Sequence, residues 1–189
     1  MALSELEIIN AALVKLAAAP LVSLLDTGSE AMIALTLYPP VRDAMLAAYL
    51  WSFALREQVV AVPEGIAPVA GFSHAYALPT DHLRTIAVTA NGATIRYRQY
   101  GNRIECNTAD GVVITYVARV LPPEYAAYFD MVLVSRLAAE LCVPLTENAA
   151  RAEILYRMAE QEFARARHTD AQQDSPARLT SFPLIDVRG

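Results

Sequence analysis

The order of helix-type and strand-type patterns along the chain is the strongest constraint on its fold. Residues 1–58 and 121–168 show apolar side chains at the three- and four-residue steps typical of helices, and residues 72–120 show alternation and turn signals typical of strands. The helices before and after the strand region can bury their apolar stripes by packing against each other, with the strands as an insertion between them in the sequence. The sequence predicts an α+β fold: a helical bundle formed by N- and C-terminal helices, with an inserted small antiparallel β-meander and an extended C-terminal arm.

The N-terminal region begins with a clear helix signal. Ser4 and Glu7 have the spacing of a capping box, in which each side chain satisfies a free backbone amide. An apolar stripe follows, and Pro20 is expected to end the helix; the stripe consists of Leu6, Ile9, Leu13 and Leu16. A second helix is predicted over about 29–55, kinked or divided at Pro39-Pro40 because proline lacks an amide donor.

The middle of the chain is predicted to form strands after a linker. Prolines and glycines rule out regular structure over 59–71. The strongest hairpin signal is Asn91-Gly92, because a type I′ turn requires positive φ at both central residues. We expect a meander of four or five strands over 72–120, at about 74–78, 83–89, 94–100, 103–107 and 112–120.

Two further helices are predicted after the strands. The first covers about 122–141, with Pro122-Pro123 in its first turn, where a missing amide costs nothing. Pro144 is expected to separate it from a last helix that reaches about residue 168 and is capped by Thr146 and Glu147. Residues 169–189 are predicted to form the arm without regular structure.

Composition narrows the class of protein. The chain is 55% apolar and 19% charged, whereas average soluble domains have about 45–50% apolar residues, counting glycine, and about 25% charged ones. The longest apolar candidate, 31–55, is interrupted by polar residues and prolines, so we expect no membrane span. The first residues lack the basic region of an export signal, so export is not expected. The surplus apolar surface predicts an oligomer.

Residues that commonly carry catalysis or bind metals are scattered. The histidines are His74, His82 and His168, and none lies at the spacing of a ligand pair. Cys106 and Cys142 are predicted to be reduced, buried thiols. The sequence contains no nucleophile elbow and no phosphate-binding glycine loop. We therefore expect no catalytic residues, no metal site and no cofactor.

Charge is unevenly distributed. Residues 72–120 hold five basic and three acidic side chains, a net charge of +2, which leaves −7 for the rest of a chain whose total is −5. Arg96, Arg98 and Arg103 are either a phosphate-binding face or a solvated or subunit-facing strand edge, and we favour the latter. The acidic balance argues against a transcriptional regulator.

Residues 37–54 read LYPPVRDAMLAAYLWSFA. This segment resembles the second-helix signature of tailed-phage head-to-tail adaptor proteins, the group that includes podovirus tail tubular protein A and adaptors of gene transfer agents. The opening residues 5–24 and the order of elements over almost the whole chain are similar to the same group. The matching fold or interface positions are Leu37, Tyr38, Arg42, Asp43, Leu46, Trp51 and Phe53.

The resemblance implies a non-enzymatic structural protein at the head–tail junction of the virion, made in the bacterial host cytoplasm. Such adaptors assemble as homo-oligomeric rings, commonly dodecamers, between the portal protein and a tail stopper, tail tube or nozzle protein. Double-stranded DNA passes through the channel without sequence recognition. The resemblance also implies a portal-docking role for the arm, through Phe182, Leu184 and Ile185, so deleting 170–189 is expected to abolish portal docking while leaving the fold intact.

One alternative from another class stays open. A cell-wall or polysaccharide hydrolase, or a binding module of phage origin, would need paired carboxylates in a pocket near the strands. The carboxylates available in that region are Asp81, Glu105 and Asp110.

Overall fold

The computed structural model describes residues 3–61, 67–69 and 71–173. Within these residues, the helices are α1 (Glu5–Lys15), α2 (Ser29–Ala48), α3 (Ala127–Thr146) and α4 (Ala149–Ala171). The strands are β1 (Leu55–Val59), β2 (His74–Ala77), β3 (His82–Ala90), β4 (Ala93–Thr94), β5 (Tyr97–Tyr100), β6 (Arg103–Cys106) and β7 (Val112–Ala118). This order confirms the predicted α+β class. Among the described helices, none combines the length and apolar character needed to cross a bilayer.

Helix α3 is the centre of the helical bundle. It contacts α1, α2 and α4, so elements from both chain ends share one core. Its apolar side chains are buried on nearly every side: Phe129, Val132, Leu133, Val134, Leu137, Ala138, Ala139, Leu141 and Cys142. The bundle is therefore the one expected from the apolar patterns.

Helix α1 begins as predicted and ends earlier. The capping box is confirmed: Ser4 Oγ accepts from the Glu7 amide at 3.3 Å, and the Glu7 carboxylate accepts from the Ser4 amide at 2.7 Å. The helix stops at Lys15 instead of continuing to Pro20, because Ala17 has a positive φ of 61°. The Ala18 amide then donates to the Leu13 carbonyl at 3.1 Å, closing the helix in a Schellman motif.

Helix α2 is not divided at Pro39-Pro40, and it ends earlier than predicted. It runs through Pro39-Pro40 as one helix, and both prolines lie on its exposed side, where water can solvate carbonyls that lose their amide partners. It ends at Ala48 instead of near residue 55, since Tyr49 is extended. A 3₁₀ turn, Ser52–Ala54, leads directly into β1, a strand that the sequence analysis missed within the predicted helical region.

The strands form two antiparallel sheets, which corrects the predicted single meander. One sheet has the order β1-β7-β3-β4 and the other the order β2-β6-β5. The predicted strand over 94–100 is divided, because β4 pairs with β3 whereas β5 pairs with β6. The hairpin signal is confirmed: φ is 51° at Asn91 and 78° at Gly92.

The C-terminal helices also differ from their predicted limits. Helix α3 begins at Ala127, after turns that contain a cis Pro122-Pro123 peptide bond, and it includes Pro144 in its last turn. A proline there removes only one amide donor near the helix end, so the helix continues until Glu147, whose φ is 53°. Asn148 caps α4 by accepting from the Arg151 amide at 2.9 Å, in place of the predicted Thr146 and Glu147.

Helix α4 extends to Ala171 and therefore includes the first three residues assigned to the arm. Asp170 is buried in its last turn, at 4% exposure. The predicted portal-docking residues Phe182, Leu184 and Ile185 lie outside the described residues, as do most of the arm and positions 62–66 and 70 of the predicted linker.

The Asn91-Gly92 turn generates a stability prediction. A Cβ at Gly92 would meet no atom within 4 Å, so Gly92→Ala acts through backbone conformation alone. We expect Gly92→Ala to lower the free energy of unfolding by about 1–2 kcal/mol, measured by urea denaturation. Gly92→Asn should cost less, because asparagine tolerates the left-handed region. Equal losses in the two variants would contradict this explanation.

Candidate functional site

Trp51 lies at the junction of three helices and the first strand. It follows α2, is 0% exposed, and precedes the 3₁₀ turn that leads to β1. Its ring centroid lies 5.1 Å from that of Phe129 in α3 and 5.7 Å from that of Phe163 in α4, in both cases edge to face. The indole Nε1 donates to the Met45 carbonyl at 2.9 Å, which satisfies its only polar group.

Other aromatic rings complete this cluster. Phe53 lies 5.2 Å from Phe129 between ring centroids, and Tyr49 packs on Trp51 at 5.0 Å. The residues of the Trp51 cluster are Tyr49, Trp51, Phe53, Tyr125, Tyr128, Phe129 and Phe163. Because Trp51 and Leu46 are both 0% exposed, the structure places them in the core of one subunit and not at its surface.

Asp170 fixes the end of α4 to this cluster. Its carboxylate accepts from the Ser52 amide at 3.1 Å and from the Ser52 hydroxyl at 2.8 Å. It also accepts from the Tyr128 hydroxyl at 2.5 Å. Burial, together with this carboxylate, raises the pKa of Tyr128 to about 12, so the phenol remains a donor at neutral pH. The last turn of α4, the start of α3 and the 3₁₀ turn are thereby held together.

The Arg42-Asp43 pair joins the bundle to the four-stranded sheet. Arg42 Nε lies 2.9 Å from Asp43 Oδ1, and Arg119 Nε, just after β7, lies 2.8 Å from Asp43 Oδ2. The Arg42 guanidinium also lies 5.8 Å from the ring centroid of Tyr38. Burial raises the pKa of Tyr38 to about 12, which keeps this residue neutral. The pair is a partly buried structural bridge between α2 and β7.

The residues that match the adaptor signature therefore lie together where the helical bundle meets the four-stranded sheet, a region that we term the joint. Leu46, Tyr38 and Trp51 lie in the core, Arg42 and Asp43 bridge to the sheet, and Leu37 and Phe53 pack against the core while partly exposed. The sequence analysis did not identify Arg119 or Asp170, which complete the joint. They lie 76 and 118 residues from their partners, and no local pattern signals such contacts.

Helix α4 leaves apolar surface exposed. Only a narrow stripe of Ala152, Ala159 and Ala166 is buried against the bundle along with Asp170. Ile154 and Met158 are each 52% exposed, and Val143 at the end of α3 is 46% exposed. A groove of about 560 Å³ lies between Val143 and the side of α4 near Tyr156. Exposed apolar groups in such an arrangement are typical of protein interfaces.

A second depression, which we term the proline cleft, lies where α1 begins. It has a volume of about 460 Å³ and is lined mainly by apolar atoms. Its lining residues are Leu3, Ser4, Glu5, Glu7, Leu121, Pro122 and Pro123. Nearby, Asp130 Oδ2 accepts from the Leu3 amide at 3.0 Å, and burial raises the pKa of this carboxyl.

The three arginines of the strand region are not equivalent. Arg103 Nε lies 3.2 Å from Oε1 of the fully buried Glu105, so Arg103 neutralises a carboxylate inside the protein. Arg96 and Arg98 are exposed, and Arg98 Nη1 donates to the Tyr100 hydroxyl at 2.9 Å. These last three residues, Arg96, Arg98 and Tyr100, form what we term the basic stripe.

The candidate catalytic and metal-binding residues are not brought together. Asp81 accepts from the Tyr116 hydroxyl at 3.1 Å and lines a cleft that contains neither Glu105 nor Asp110. His82 Nε2 lies 2.8 Å from Thr85 Oγ1, and burial lowers its pKa. Within residues 3–61, 67–69 and 71–173, no group of three or more potential metal ligands occurs.

Both cysteines are free and buried, as predicted for Cys106 and Cys142. Cys142 lies inside α3, and its Sγ is 3.5 Å from Thr146 Oγ1. The two thiols therefore contribute to packing within their own elements.

Comparison with known proteins gives no family for this chain. No known protein family matches it, and no curated protein matches it significantly.

The Trp51 cluster generates a stability prediction. We expect Trp51→Ala to lower the free energy of unfolding by about 3–5 kcal/mol, because it removes a fully buried aromatic ring and leaves a cavity. Leu50→Ala is the matched control: its side chain is 40% exposed, and its truncation should cost about 1 kcal/mol or less. Chemical denaturation monitored by circular dichroism measures both, and unchanged stability of Trp51→Ala would contradict the role assigned to the indole.

The Asp43 bridge generates a second prediction. Asp43→Asn leaves the largely buried Arg42 guanidinium without its anion and should destabilise the protein by about 1–3 kcal/mol. Glu124→Gln removes the 2.8 Å ion pair with Arg56, whose side chains are 39% (Arg56) and 57% (Glu124) exposed, so we expect a loss of about 0–1 kcal/mol. Similar losses from the two substitutions would show that the Asp43 bridge has no special role.

Proposed function

We propose that this chain is the subunit of a head-to-tail adaptor ring, a non-enzymatic virion protein that joins the portal to the tail and lets genomic DNA pass through its channel. The resemblance in residues 37–54 supports the proposal. Its matching residues, above all Trp51, Arg42 and Asp43, are those that join the helices to the sheet. The resemblance therefore lies in the residues on which this fold is built.

The observation that carries the proposal is apolar surface left outside a complete core. The bundle already buries α3 on nearly all sides, yet Val143, Ile154 and Met158 remain about half exposed, and Val143 lines a groove beside α4. Further exposed apolar side chains lie near α1 and α2: Val14, Val22, Leu25 and Met32. A closed ring buries two different surfaces of every subunit, so it would cover apolar groups on more than one element.

The charge of the chain suits a DNA channel. Its net charge is −5, and the residues outside 72–120 account for −7. Affinity for the DNA backbone comes from basic side chains that neutralise phosphates. An acidic wall would therefore let the duplex move through the ring without being held.

The arm is the proposed attachment to the portal. The last described turn of α4 is fixed by Asp170 to Ser52, so the arm leaves the protein from a defined place. The 16 residues from 174 onward include Phe182, Leu184 and Ile185, apolar side chains suited to a partner surface. Because Asp170 belongs to the structural joint, a deletion that tests docking must begin after residue 173 and not at residue 170.

The test is electron microscopy of the purified chain mixed with the portal protein of its proposed virion. We expect closed rings of this chain on one end of the portal, and no rings for a variant that ends at residue 173 and yet unfolds at the wild-type temperature. The variant Asp170→Ala with an intact arm is the control for damage to the joint. Failure of the wild-type chain to bind the portal would contradict the proposed function. Rings with the truncated variant would contradict only the role of the arm.

A further inference from the structure

The basic stripe combines positive charge with an aromatic ring on an open sheet edge. Strand β5 pairs with β6, and no other described strand pairs with it. The Arg98 guanidinium lies 5.8 Å from the ring centroid of Tyr100, and both side chains are exposed. Within the described part of the chain, the ion pairs involve other arginines than Arg96 and Arg98. Their charge is available to a partner.

The proline cleft has the complementary chemistry. Leu3, Leu121, Pro122 and Pro123 line it, and Leu121 is 51% exposed. Such apolar surface suits a tyrosine ring, whose hydroxyl can remain beside polar groups. Glu5 and Glu7 line the same cleft and give it negative charge, although the Glu7 carboxylate also accepts from Ser4. A ligand that fits the cleft therefore has an aromatic ring beside positive charge.

Each chain carries both the basic stripe and the proline cleft, but these two surfaces lie on different parts of the fold. The cleft belongs to α1 and to the turns before α3, and α1 packs on α3 and α2. The stripe comprises Arg98 and Tyr100 of β5, which packs on β6, and Arg96 just before that strand. A second copy of the chain thus supplies the partner for each surface. A contact between two different surfaces of identical subunits is heterologous and propagates into a ring or a filament.

We propose that the basic stripe of one copy docks into the proline cleft of a second copy. Tyr100 lies against Pro122 and Pro123, and the two arginines lie beside Glu5 and Glu7. This contact rests on the proposed ring and specifies one interface within it: the strand region of each subunit reaches the base of the bundle of the next.

The test is charge reversal with rescue in the full-length chain. Sedimentation velocity at about 50 mM and about 500 mM NaCl measures self-association of the wild-type chain, Arg98→Glu, Glu5→Arg and the double variant. Glu5 is chosen because Glu7 caps α1. We expect each single variant to weaken association about tenfold or more, and the double variant to restore it. The matched control is Glu57→Arg on β1, an exposed side chain outside the basic stripe, the proline cleft and α4, which should associate like the wild type.

Three outcomes would overturn this contact: a monomeric wild-type chain at low salt, single variants that associate normally, or a double variant that is not rescued. A fourth would reassign the stripe to phosphate recognition, namely unchanged association with weaker binding of a fluorescent DNA duplex by Arg98→Glu. Portal-bound rings that form equally well with Arg98→Glu would overturn the contact and leave the proposed function standing. If the double variant regains self-association but the wild-type chain does not bind the portal, the contact stands and the proposed function is overturned.

Discussion

The packing of one buried indole determines how the two ends of this chain meet. Trp51 contacts aromatic rings of α3 and α4, and its Nε1 is satisfied by a carbonyl of α2. Since β1 begins only four residues later, the same side chain also sets where the first strand enters the sheet. The helices, the sheet edge and the end of α4 are thus positioned relative to a single buried group, and the Arg42-Asp43-Arg119 bridge ties α2 to the end of β7.

This arrangement separates structural residues from those available to partners. The residues that carry the sequence resemblance are largely internal, so their role in this protein is to hold the fold and not to form a binding surface. The surfaces available for assembly come from elsewhere: the outer side of α4, the proline cleft and the edge strand β5. The chain has more apolar residues than an average small domain. Many of them are buried in α3, and others are half exposed on the neighbouring elements.

Local signals in the sequence were enough to predict the fold class, the capping box of α1 and the Asn91-Gly92 hairpin, because each depends on residues close together in the chain. Helix ends were predicted less well. Ala17 and Glu147 adopt left-handed conformations without being glycines, so nothing in their identity marked the ends of α1 and α3. Strand β1 was not predicted because the apolar residues 44–54, which lead into it, continue the helical pattern. The contacts of Asp170 and Arg119 required three-dimensional proximity that no spacing rule reveals.

The Asp170 contact with Ser52 has a mechanical consequence. A helix held only by its own hydrogen bonds frays from its free end when the following chain is pulled. Here, tension applied beyond residue 173 reaches a carboxylate with three hydrogen bonds to Ser52 and Tyr128 before it can unwind α4. The load passes into the aromatic cluster between bundle and sheet, so a tether at this chain end pulls on the whole fold and not on one helix.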